Sequence, residues 1–189
     1  KLAVLQKADL PYSIAVYQYA VKMFEYYIEN GDKSKIKDLE NAYQLRMKYF
    51  PNKSKKGDIM ADIAQIKYDN AIGDKQSQFN AFDNAFKADE PNFKSPKSIY
   101  TYFSLAMDLY TDGQKDIQEV FDLYDIITEK IEKEEGNYAT RINGLLNKQD
   151  NGQKLSSKEV KKLDGYEKYL GYYGKIKGSV DTKLGSIAD

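Results

Sequence analysis

The chain has 189 residues, enough for one domain with a real core. Its 29 basic and 29 acidic side chains cancel, so net charge draws it neither to nucleic acid nor to an anionic membrane surface. Cys and His are both absent, which excludes disulfides, thiol nucleophiles and thiolate metal sites and removes the commonest general base and transition-metal ligand. No apolar run reaches the length of a membrane-spanning helix.

Residues 1–11 read as a short lead-in ending at Pro11. The spacing then predicts a first helix over Tyr12–Glu29, with Ile14, Tyr17, Ala20, Val21, Phe24, Tyr27 and Ile28 at steps of three and four. Asn30-Gly31-Asp32 ends it, because Asn and Gly tolerate the left-handed backbone of a helix C-terminus. A second helix is predicted over Lys33–Phe50, with Ile36, Leu39, Tyr43, Met47 and Phe50 on one face, and Pro51 stops it. The lysines of Asn52 to Gly57 read as a solvated loop.

A third helix is predicted over Asp58–Ile72, broken at Gly73-Asp74, and a fourth over Lys75–Ala88 with Phe79, Phe82, Ala85 and Phe86 inward. Ser95-Pro96 is a strong helix start, Ser as cap and Pro at the first helical position, and opens a fifth helix to Thr111. Asp112-Gly113 breaks it, and a sixth helix is expected over Lys115–Glu134. Three helical hairpins therefore follow one another over residues 12–134. Such units bury their apolar faces only by stacking, which predicts an all-α fold of stacked hairpins, an α-solenoid.

Residues 136–189 differ. Tyr138–Asn147 reads as a short seventh helix, followed by a polar turn from Lys148 to Gln153. Ser156 and Glu159 form a capping box that opens a last helix, making a divergent C-terminal hairpin that packs on the last repeat. Five glycines, Gly165, Gly171, Gly174, Gly178 and Gly185, weaken that helix, and breaks are expected between Gly171 and Gly178. The chain opens on Lys1 rather than Met and carries no stop signal at Gly185 to Asp189, so we expect part of a longer protein.

No chemistry of a reaction is legible. The paired carboxylates, Asp122 with Asp125 and Glu129 with Glu132 and Glu135, fall beside or opposite the apolar stripe, as on a solvated face. Asp150-Asn151-Gly152 before Glu159 only superficially resembles a calcium loop, since Lys154 and Lys158 intervene. We therefore expect no enzyme activity, no metal and no cofactor. In stacked hairpins the first helix of each pair lines the concave face. That places Tyr19, Tyr26, Lys67, Tyr68, Tyr100 and Asp108 as candidate protein-binding residues, the tyrosines offering contact area with a hydroxyl.

The segment Phe82 to Asn92 resembles the end of a tetratricopeptide repeat (TPR), with Phe82 and Ala85 at that family's aromatic and small positions and Pro91 one place late. Tyr43 and Pro51 repeat the aromatic and Pro spacing, with Arg46 in place of the small residue. The phrase Tyr43 to Phe50 and the helix pair Tyr100 to Ile131 resemble TPR-like proteins of Bacteroidota, as does a composition rich in Lys with two arginines, Arg46 and Arg141. The resemblance implies a TPR-like solenoid, export to the periplasm or cell envelope, and a protein or peptide partner; balanced charge and scarce Arg argue against nucleic acid. It implies a scaffold or protein–protein interaction module. The alternative it leaves open is a carbohydrate-capturing lipoprotein of a nutrient-uptake system.

Overall fold

The computed structural model describes residues 13–187, so the lead-in, Tyr12 and the last two residues lie outside it. The described residues form seven α-helices and three short 3-10 turns, with no strand among them. The helices are α1 (Ile14–Glu29), α2 (Ile36–Tyr49), α3 (Lys56–Asp69), α4 (Lys75–Ala88), α5 (Pro96–Thr111), α6 (Ile117–Asp150) and α7 (Ser157–Gly185). The fold is all-α, as expected.

Four helices stop in the same way. At the ends of α1, α3, α5 and α6, one residue takes the left-handed conformation and two amides turn back onto the last turn's carbonyls. The pairs are Gly31 N–H to Ile28 and Asp32 N–H to Tyr27, then Ala71 to Tyr68 and Ile72 to Lys67, Gly113 to Tyr110 and Gln114 to Leu109, and Gly152 to Gln149 and Gln153 to Lys148. This is the Schellman arrangement, which satisfies carbonyls a helix end would otherwise orphan. The left-handed residue of the second break is Ala71 (φ 50°), not Gly73 as the sequence suggests. Helix α3 thus ends at Asp69, earlier than expected, and Gly73 serves the following turn at φ 81°. The starts of α1, α3 and α5 recur at roughly 40 residues, the scale of a helical repeat.

The chain divides into two compact units, Lys1–Ser98 and Ile99–Asp189. In the first, α1 pairs with α2 and α3 with α4, and α2 lies against α3. Ala20, Val21, Phe24 and Ile28 of α1 meet Leu39, Ala42 and Tyr43 of α2 and Ile59 of α3 in one apolar cluster. Each large side chain fully buried there contributes about 1.5–3 kcal/mol. Tyr27, expected inward, is exposed, because the buried stripe narrows to Phe24 and Ile28 at the end of α1. Gly57, Ala61 and Ala64 form a small-residue face on α3. A Cβ at Gly57 would overlap the carbonyl oxygen of Asp89, so this close approach demands glycine. The Asp89 carboxylate accepts the Gly57 N–H at 2.9 Å and is held by the Asn92 amide. It thereby caps α3 from beyond the end of α4.

The second unit is organised around α6 and α7. Helix α5 is buried along its whole run from Thr101 to Met107. Its Phe103 ring meets Tyr124 of α6 at 6.1 Å, and Asp108 accepts Lys183 of α7 at 3.0 Å. The expected seventh helix over Tyr138–Asn147 is not separate. Helix α6 runs unbroken for 34 residues, about 50 Å, straight through Gly136. Helix α7 is likewise unbroken through Gly165, Gly171, Gly174 and Gly178. Tyr166, Leu170, Tyr173, Lys177, Val180 and Leu184 recur at alternating steps of four and three, as do Val120, Tyr124, Ile127, Ile131, Glu134, Tyr138, Arg141 and Leu145. This is the heptad seam of an antiparallel coiled coil. The register is fixed by Tyr124 with Asp181 (2.9 Å), Glu132 with Lys177 (2.7 Å), Tyr138 stacked on Tyr169 (5.4 Å) and Lys148 with Glu159 (2.7 Å).

Candidate functional site

Tyr19 and Tyr26 stand seven residues apart on the same side of α1 and are 74% and 62% exposed. Tyr26 meets Tyr27 edge to face at 6.0 Å, which extends the aromatic surface around that helix end. Lys67 and Tyr68 sit in the last turns of α3. Lys67 is drawn to Glu40 of α2 at 2.5 Å, so it ties two helices together, while Tyr68 is partly exposed. Tyr100 is half-buried in α5. Asp108 is occupied by Lys183 of α7, whose ammonium also reaches the Ser104 hydroxyl. Of the six residues expected on a binding face, Tyr19 and Tyr26 thus lie most open, whereas Lys67 and Asp108 spend their charge within the fold.

Sequence reasoning missed two polar centres. One is a cleft of about 300 Å³ lined by Arg46, Asn52, Lys53, Lys55, Asp58, Ile59 and Asp62. Arg46 reaches the Lys53 carbonyl at 3.4 Å, and its Nε finds no acceptor among the described residues. Asp62 loses part of its hydration to the surrounding protein and faces the like charges of Asp58 and Glu25, which push its carboxyl up to about 6. Tyr43, desolvated and near Asp62 and Glu25, donates to Glu25 at 3.3 Å and titrates far above the usual tyrosine range. The one available signal was Arg46 itself, one of two arginines in the chain.

The other is the buried pair Lys130 and Glu134 in α6, 3.0 Å apart and each 2% exposed. Burial is expensive for either charge, and each group offsets that cost for the other. Asn137 donates to Glu134 at 3.4 Å, and the buried Tyr173 lies beside it. In the sequence the pair is an ordinary i, i+4 couple of the kind that decorates helix surfaces, so nothing marked it as interior.

Past this pair the seam becomes aromatic. Tyr138 meets Tyr166 at 5.8 Å, Tyr169 at 5.4 Å and Tyr173 at 5.8 Å, and Arg141 lies over Tyr138 and Tyr166 at 5.4 and 5.7 Å. The tyrosines of the last helix are therefore first of all a helix–helix seam, with Tyr169 and Tyr172 leaving half their surface in solvent. No group of His, Cys, Asp and Glu side chains among the described residues is arranged to hold a metal ion. No helix among them is long and apolar enough to cross a membrane. Compared with models of protein families, with curated proteins and with solved structures, the chain matches none.

Proposed function

We propose that this chain is a non-enzymatic protein-interaction or scaffold module whose hairpins stack as a TPR-like α-solenoid within a bacterial cell-envelope assembly. The observation that carries the reading is the open pair Tyr19 and Tyr26, large aromatics set on one side of α1 with most of their surface in water. Tyrosine is enriched at protein interfaces because it supplies contact area at low entropic cost and a hydroxyl that is satisfied bound or free. The repeated hairpins of the first unit and the common way their first helices end support a repeat architecture around it.

The test replaces Tyr19 and Tyr26 by Ala and compares recovery of bound proteins from envelope extract with the wild type. The expected outcome is an unchanged melting temperature with loss of a specific partner. Unchanged recovery in a folded variant removes the proposed surface. Retention on a glycan array that depends on the same tyrosines would replace the protein partner by a carbohydrate.

A further inference from the structure

Charge along the α6–α7 hairpin is strongly uneven. Residues 117–135 carry seven acidic and two basic side chains, whereas residues 136–175 carry eight basic and four acidic ones. The distal part of the hairpin is thus a local cation within a chain of zero net charge. On α7, Lys158, Lys162, Tyr166 and Tyr169 follow one another at steps of four, four and three and so share one side. Asp164 and Glu167 fall on the opposite side, and Asp164 is engaged by Lys168 at 3.0 Å. Among the described residues, the exposed Lys158 and Lys162 find no carboxylate partner. Arg141 of α6 stands beside Tyr166 of the stripe, its guanidinium carbon 5.4 and 5.7 Å from the Tyr138 and Tyr166 ring centres and its surface exposed.

We infer that this stripe, Arg141 with Lys158, Lys162, Tyr166 and Tyr169, docks an acidic segment of a protein partner. A guanidinium placed over ring faces still presents N–H groups to solvent, and its planar fork suits a bidentate carboxylate. The neighbouring ammonium groups extend the cationic track along α7, and the half-exposed Tyr169 gives the bound segment an apolar edge. Single-stranded nucleic acid is the poorer occupant. It needs open ring faces for its bases, and here Tyr138 stacks on Tyr169 while Arg141 covers Tyr138 and Tyr166. The site shares no residue with the surface proposed above, so its test stands or falls independently of Tyr19 and Tyr26.

The test titrates fluorescein-labelled oligoglutamate against the full chain at low salt, beside oligothymidylate of equal charge. The expected result is oligoglutamate binding that weakens with salt and falls on the order of ten-fold or more in Lys158→Glu/Lys162→Glu. Arg141→Lys, which keeps the charge but loses the planar fork, should weaken it too. The charge-matched pair Lys154→Glu/Lys175→Glu, off the stripe, should leave most of the affinity. Absence of oligoglutamate binding, tighter binding of oligothymidylate, or equal losses in the two double variants would each overturn the proposal. Should Lys158→Glu/Lys162→Glu lose helix content, Lys158→Gln/Lys162→Gln carries the same comparison.

Discussion

Ala71 occupies a conformation that Gly31, Gly113 and Gly152 adopt at the three equivalent helix ends. A Cβ in the left-handed region crowds the following carbonyl, a strain glycine does not feel. Ala71→Gly should therefore stabilise the protein by about 0.5–1 kcal/mol, after allowing for the greater entropy glycine brings to the unfolded chain. A denaturant midpoint at or below that of the wild type would contradict this. Gly57 is the reverse case: Gly57→Ala forces α3 away from the Asp89 carbonyl and loses its cap, so it should destabilise clearly. At Lys130 and Glu134 the single change should be worse than the double. Glu134→Ala removes the carboxylate 3.0 Å from a buried ammonium and should destabilise clearly, whereas Lys130→Met/Glu134→Leu should recover most of that loss. Chemical denaturation of both variants checks the order.

At the scale of elements, α7 rests on its cap and its seam. Ser156 and Glu159 exchange hydrogen bonds at its first turn, and Lys148 of α6 holds the same Glu159. Ser156→Ala should cost about 1 kcal/mol, read from thermal melts of the hairpin. Gly171 and Gly178 have open space where a Cβ would stand, so Gly171→Ala and Gly178→Ala should each stabilise by about 0.5–1 kcal/mol. Ser156–Glu159, Ser95-Pro96 and the helix over Lys75–Ala88 were legible in the sequence because capping and propensity act locally. The continuity of α6 and α7 was not. Asn143-Gly144 and Asp164-Gly165 look like Asn30-Gly31, yet the first two stay helical and the last ends α1. What decides is the partner helix: Arg141, Leu145, Leu163 and Tyr166 carry the heptad seam across both glycines, whereas nothing continues α1 past Asn30. Local signals hold the caps, and only tertiary pairing holds the long helices. The same limit hid the cleft at Arg46 and the pair at Lys130 and Glu134, which exist only once separate turns or helices bury them.

For the whole molecule, acid should act in two opposed steps. Asp62 is raised to about 6, so folding is disfavoured while it is ionised; that penalty is present above about pH 6 and fades as the pH falls toward the usual Asp range. Asp62 keeps solvent contact, so screening limits the effect to on the order of 1 kcal/mol. Glu159 is lowered to about 2, first by Lys148 and then by the Ser156 amide and hydroxyl. Asp74, Asp89 and Glu119 are lowered as well: Asp74 and Glu119 by backbone amides, and Asp89 because its hydrogen bonds outweigh its desolvation. Their stabilisation is complete above the ordinary carboxylate range and drains away as the pH falls toward 2. The melting temperature should therefore rise slightly from pH 7 to about 5 and then fall steeply below about 4. Asp62→Asn should melt higher than wild type at pH 7 and show no rise between pH 7 and 5, while Glu159→Gln should lower stability at pH 7 and soften the acid limb. A wild-type profile that falls monotonically from pH 7 would mean that Asp62 is fully hydrated in the folded chain. The cleft would then hold no strained carboxylate beside Arg46.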